Sequence, residues 1–143
     1  MSQIFAVTSG KGGVGKSTVS AGLAFAFSGL SKKTLLVDMD EGLRCLDIML
    51  GVDRSAVFDL SDILMGKDMA DAVYKVGESN NLFLVPAPSE VGKIDAFAFS
   101  GFVREAEKEY DIIIDAIFGI GLSREITGGY KEIIEKINES KSY

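Results

Sequence analysis

An apolar run, Ile4-Phe5-Ala6-Val7, leads into Gly10-Lys11-Gly12-Gly13-Val14-Gly15-Lys16-Ser17-Thr18, and a segment with helical spacing follows at once. No other stretch of this chain constrains the fold as strongly. Residues 10–17 satisfy G-x-x-x-x-G-K-[ST] without a mismatch, in the strand-before, helix-after context that gives this pattern its meaning. The glycines let the backbone curl, so that successive N–H groups face one concavity. The N-terminus of the following helix adds partial positive charge at the same place. Such a concavity fits a phosphate chain. Lys16 extends a point charge towards β- and γ-phosphates, and the Ser17 hydroxyl suits Mg2+. Gly10, Lys11, Gly12, Gly13, Val14, Gly15, Lys16, Ser17 and Thr18 are therefore the candidate phosphate-binding residues, with a nucleotide's phosphates and Mg2+ as the expected ligands.

The remaining pattern repeats strand and helix. Short continuous apolar runs predict strands over 3–9, 34–37, 82–85 and 112–114. Helical spacing predicts a helix over 16–28, with Val19, Leu23, Ala26 and Phe27 on one face. Further helices are expected over 43–50, 58–64, 68–75 and 94–109, the last with Phe97, Phe102, Val103 and Ala106 among its apolar positions. A final helix is expected over 131–140, with Tyr130, Ile133, Ile134 and Ile137 at helical intervals. Strands that are apolar throughout and alternate with helices imply an α/β fold. The expected architecture is three-layer αβα, P-loop or Rossmann-like, with a mainly parallel, doubly wound sheet of about four to five strands. In such sheets ligands bind beyond the carboxyl ends of the strands. Three predicted strands end there in a residue with chemistry to offer: Gly10, Asp38 and Asp115. Asp38, Asp40 and Asp115 join Ser17 as candidate metal-binding residues.

Composition narrows the partners. The chain has 143 residues, the length of one domain, with 47% hydrophobic and 25% charged residues. A net charge of −6, with the 15 basic residues scattered, argues against nucleic acid as a partner. With no histidine, the usual general base and the commonest zinc ligand are both missing. A single cysteine, Cys45, excludes an internal disulfide and fits a cytoplasmic setting. It is expected to be a small buried or half-buried side chain. Met39, Met49, Met65 and Met69 read as core filler. No apolar run is long enough to span a bilayer, and the last predicted helix has too short an apolar face for membrane binding.

Lys11 is an additional lysine inside the phosphate loop. KGGVGKST resembles the deviant Walker A motif of the MinD/ParA family of ATPases. LLVDMDEGLRCLDIMLG, residues 35–51, resembles that family's second motif, and NLFLVPAP, residues 81–88, its next strand. The resemblance covers about residues 1–114. It implies ATP and Mg2+, with Lys16 on the phosphates and Ser17 on the metal. It also implies that Lys11 reaches across a nucleotide-sandwich homodimer, and that Asp38 and Asp40 stand near Mg2+ and the attacking water. Lys11, Lys16 and Asp40 are the candidate catalytic residues on this basis.

The tail DIIIDAIFGIGLSREITGGYKEIIEKINES, residues 111–140, resembles a second family, the YjeF-type NAD(P)H-hydrate epimerases. There the aspartate matching Asp115 helps bind potassium, and the loop matching Gly119 to Glu125 contacts the hydrated dinucleotide. The two likenesses together suggest a chimera within one domain, 1–143: a MinD-like part to residue 110 and an epimerase-like strand–loop–helix from 111. Neither parent pattern is complete. The adenine-recognising half and membrane-binding tail of MinD proteins have no counterpart, and neither has the asparagine- and glycine-rich ion site of the epimerases. The expected function is a P-loop nucleotide-binding domain with weak or no ATP hydrolysis and poor discrimination between bases. The alternatives are a chimeric fold without native activity and a truncated MinD/ParA-like ATPase. An open sheet edge offers a second route to a homodimer.

Overall fold

The structure, a computed structural model, describes residues 2–8, 15–52, 54–116 and Glu135. Its elements are β1 (Gln3–Val7), α1 (Lys16–Gly29), β2 (Thr34–Asp38), α2 (Cys45–Met49), α3 (Leu60–Leu64), α4 (Met69–Ala72), β3 (Tyr74–Lys75), β4 (Leu82–Val85), α5 (Ala96–Glu109) and β5 (Ile112–Ala116). The five strands form one sheet in the order β1-β5-β2-β4-β3. All neighbours are parallel except β3, which runs antiparallel to β4 at the edge. The last predicted helix falls outside the described residues, apart from Glu135, which is helical. No described helix is long and apolar enough to cross a membrane.

The two central strands are buried at every position. That is the reason their sequences, TLLVD and IIIDA, show no alternation: helices cover both faces. Leu35, Val37, Ile113 and Val85 face a layer made by α3 and α5, through Leu60, Phe99, Phe102, Val103 and Ala106. Leu36, Ile112, Ile114, Leu82 and Leu84 face the opposite layer, through Ala21, Ala24 and Leu46. The three-layer α/β architecture with a mainly parallel sheet is thus present.

Several local expectations need correction. The buried face of α1 is Lys16, Ser20, Ala21 and Ala24. Val19 and Ala26 are exposed, and Leu23 and Phe27 only half-buried. The helix is apolar nearly all round, so its pattern could not select a face. Small side chains decide it, because they let the helix lie close on the sheet. In α5 not every apolar position faces the core: Phe97 is 81% exposed, while Ala96, Phe99, Phe102, Val103 and Ala106 are buried. The segment expected as a helix over 68–75 breaks after Ala72 and enters β3. Tyr74 anchors that strand: its hydroxyl accepts from Phe58 N (2.9 Å) and donates to Phe58 O (3.0 Å). Of the methionines, Met39 is buried and Met69 packs on the core, whereas Met49 and Met65 are exposed. Cys45 is exposed.

Candidate functional site

Because β1, β2, β4 and β5 are parallel, their carboxyl ends share one rim of the sheet, and α1 begins at that rim. Gly10, Lys11, Gly12, Gly13 and Val14 lie outside the described residues. Gly15 has φ +77° and leads directly into α1. A side chain there would be strained, which is the physical use of the motif's last glycine. Lys16 is buried in the first turn, Ser17 is half-buried and Thr18 exposed.

Asp38 ends β2 as a buried carboxylate with two backbone donors. Its Oδ1 accepts from Asp40 N (3.0 Å) and its Oδ2 from Leu46 N (3.3 Å). Burial pushes its carboxyl up to about 7, against the lowering effect of those two amides, and the carboxylates of Asp40 and Asp47 add to the rise. Asp38 therefore organises the turn into α2. The Asp40 side chain does not cap that helix; its backbone carbonyl accepts from Leu43 N and Arg44 N, both at 3.3 Å. The Asp40 carboxyl is raised by burial and held down by the positive charge of Lys16. The charge of Lys16 at the start of α1 is thus felt at Asp40, just beyond the end of β2. The Cys45 thiol is raised by desolvation and by the carboxylates of Asp40, Asp38 and Asp47, so the site disfavours a thiolate.

Asp115 differs. It is fully buried near the end of β5, and among the described residues neither carboxylate oxygen has a hydrogen-bond partner. Burial alone pushes its carboxyl up to about 7. The register pairs Asp115 with Val37 and Ala6, and Asp38 with Ala116. Side chains alternate along a strand, so the two aspartates share a rim but point to opposite faces of the sheet. Among the described residues no three His, Cys, Asp or Glu side chains converge on a metal position. A metal at this rim would need its remaining ligands from Ser17, phosphate oxygens or water.

One functional element escaped the sequence. Glu41 accepts three backbone N–H groups from the loop before α5: Gly92 (3.2 Å), Lys93 (2.7 Å) and Ile94 (2.8 Å). Next to it, Gly42 N donates to Pro88 O (3.0 Å), and Arg44 Nη1 donates to Ser89 Oγ (2.9 Å). The β2–α2 turn is thereby tied to the β4–α5 loop. Nothing at Glu41 signals this in the sequence, because its partners lie about fifty residues further on and are main-chain groups.

A buried lysine at a helix start, a left-handed glycine before it and carboxylates at the strand ends define the class of P-loop nucleotide-binding domains. The chain belongs to the CobQ/CobB/MinD/ParA nucleotide-binding domain family, whose model matches residues 5–140. It is 37% identical to the septum site-determining protein MinD of Bacillus subtilis over 141 residues, 94% of this chain and 53% of that protein. It is 40% identical to MinD of Buchnera aphidicola subsp. Baizongia pistaciae over 119 residues, 80% of this chain and 44% of that protein. The chain thus spans about half the length of these relatives. Its fold superposes on MinD from Pyrococcus horikoshii, solved with Mg-ADP, with a TM-score of 0.76 at 29% identity, covering 94% of this chain and 54% of that one. The MinC:MinD complex of Aquifex aeolicus matches at TM-score 0.76 and 34% identity, over 94% of this chain and 53% of that one.

The family match and the Bacillus alignment both run across the expected junction at 110/111. They give no support to an epimerase-like origin for residues 111–143 or to a chimera. An apolar strand ending in aspartate, followed by glycine turns and a helix, serves both folds, so a likeness of some thirty residues does not separate them. The dinucleotide-loop expectation for Gly119 to Glu125 falls outside the described residues.

Proposed function

We propose that this chain binds ATP or ADP with Mg2+ at the carboxyl rim of its sheet, as the phosphate-holding portion of a MinD/ParA-type ATPase. The observation that carries this reading is Asp115. A fully buried carboxylate without a donor is costly, and it persists where a cation or ordered water completes it. Its position near the end of the strand between β1 and β2 is the one from which a P-loop domain holds its metal. In this assignment Lys16 holds the β- and γ-phosphates, with the loop from Gly10 to Gly15. Ser17 holds Mg2+ from the α1 side, and Asp115, whose side chain faces the other side of the sheet at the same rim, acts on the metal through water. Asp40, whose carboxyl feels the positive charge of Lys16, holds a water on Mg2+ and orients the attacking water, and Asp38 keeps the Asp40 turn in place. Bound Mg2+ would neutralise charge that develops on the phosphates. Lys11 completes the site of a second copy in a nucleotide-face dimer. Hydrolysis by this chain alone is weak, because the positive charge around the transferring phosphoryl group is then incomplete.

The test is calorimetric titration with ADP and a non-hydrolysable ATP analogue, with and without Mg2+, on the wild type and Lys16→Ala. We expect saturable, Mg2+-sensitive binding in the wild type, and an affinity lower by roughly 100-fold in Lys16→Ala, the effect of losing charge-assisted phosphate contacts. Equal binding by the two proteins, or none by the wild type, overturns the reading.

A further inference from the structure

The β2–α2 turn carries Asp40, yet Asp40 has few constraints of its own. Its amide donates to Asp38 and its carbonyl accepts from the start of α2. The residue after it is held much more firmly. The Glu41 carboxylate sits in a nest of three consecutive main-chain N–H groups, Gly92 to Ile94, immediately before Asp95, the N-cap of α5. Gly92 reaches that nest with φ +85°. Oε1 takes two of the three donors and Oε2 the third. Such charge-assisted, multiple contacts define orientation as well as distance. Gly42, one residue on, adds its amide bond to Pro88, and a Cβ at Gly42 would stand 3.4 Å from Val91 Cγ2. Glu41 and Gly42, the two residues directly after Asp40, are therefore both tied to the β4–α5 loop.

We infer that Glu41 is a positioning residue: by clamping residues 92–94 it sets the direction in which the Asp40 side chain faces the metal-water position. It touches neither nucleotide nor metal and acts through the backbone it shares with Asp40. This rests on the nucleotide-binding reading above. Groups that act one step removed from a metal or its water commonly change affinity about 10- to 100-fold when removed.

The experiment measures ADP affinity with and without Mg2+ for the full chain in five forms: wild type, Glu41→Ala, Glu41→Gln, Asp40→Ala and the Asp40→Ala/Glu41→Ala double variant. We expect Glu41→Ala to cut the Mg2+-dependent gain in affinity by about tenfold while Mg2+-free affinity stays within a factor of two. Glu41→Gln keeps an oxygen that can accept two of the three N–H groups, and should restore most of the gain even if Glu41→Ala folds poorly. The double variant should match Asp40→Ala alone, because Glu41 has nothing left to position. A purely structural role would lower affinity with and without Mg2+ alike and would add to the Asp40 loss. That result overturns the inference, as does a wild-type Mg2+ response in Glu41→Ala or Asp40→Ala, and the nucleotide-binding reading stands in each case. A wild type that binds ADP without any Mg2+ response removes the metal assignment itself.

Discussion

The two ends of β2 and β5 use the same residue types to opposite effect. At the amino end, the Asp111 carboxylate accepts Lys33 N–H at 2.8 Å, and the Lys33 ammonium lies 4.7 Å from the Tyr110 ring centroid and 5.6 Å from that of Phe83. Aspartate, lysine and aromatic rings there satisfy one another. At the carboxyl end, Asp115 is buried with neither oxygen partnered among the described residues, and the carboxylates of Asp40 and Asp47 raise the charge cost of Asp38 and Cys45. Folding alone does not require that arrangement. One end of the sheet is finished by the chain itself. The other leaves work for a bound cation and its anionic partner.

The contrast within the carboxyl end breaks or holds on two substitutions. Asp38→Ala should have the larger effect, a loss of about 2–3 kcal/mol, because it strands the amides of Asp40 and Leu46. For a domain of this size that is a drop of roughly 5–10 °C in Tm by calorimetry or circular dichroism. Asp115→Asn should move the other way. It removes a buried charge that has no donor to lose, so the nucleotide-free protein should gain about 1 kcal/mol at pH 8, while its Mg2+-dependent nucleotide affinity falls. A loss of stability at Asp115 as large as at Asp38 would mean that both carboxylates are structural.

Much of this was legible in the chain. β2 and β5 stand out because each carries three consecutive apolar residues before its aspartate, and the parallel sheet follows from that. β3 was hidden: its two residues owe their strand conformation to pairing with Phe83 and Leu84 and to the Tyr74 hydroxyl on Phe58. The face of α1 was hidden because apolar residues surround that helix, and packing distance, not pattern, selects Ser20, Ala21 and Ala24. At the site, strand ends marked Asp38 and Asp115 as equals. Only the register separates them onto opposite faces, and only hydrogen bonding shows one occupied and one bare. Glu41 was illegible for the same reason, since backbone donors leave no trace in side-chain identity.

The smallest effect belongs to the amino end and checks that it is indeed finished. Tyr110 is buried there against Lys33 and Phe83, and burial, with a contribution from Glu109, pushes its phenol up to about 12. In the unfolded chain the same phenol titrates near 10, so below about pH 10 both states hold the proton and this group adds no pH dependence. Between about 10 and 12 the unfolded chain releases its proton first, and stability must fall as pH rises through that window. Tyr110→Phe has no proton to release. Urea unfolding of the two proteins should run parallel below about pH 9, with the wild type declining more steeply above 10. Parallel decline throughout would show that the phenol ionises as readily in the fold as in water. The amino end would then be as open to solvent chemistry as the carboxyl end, and the contrast between them would fail.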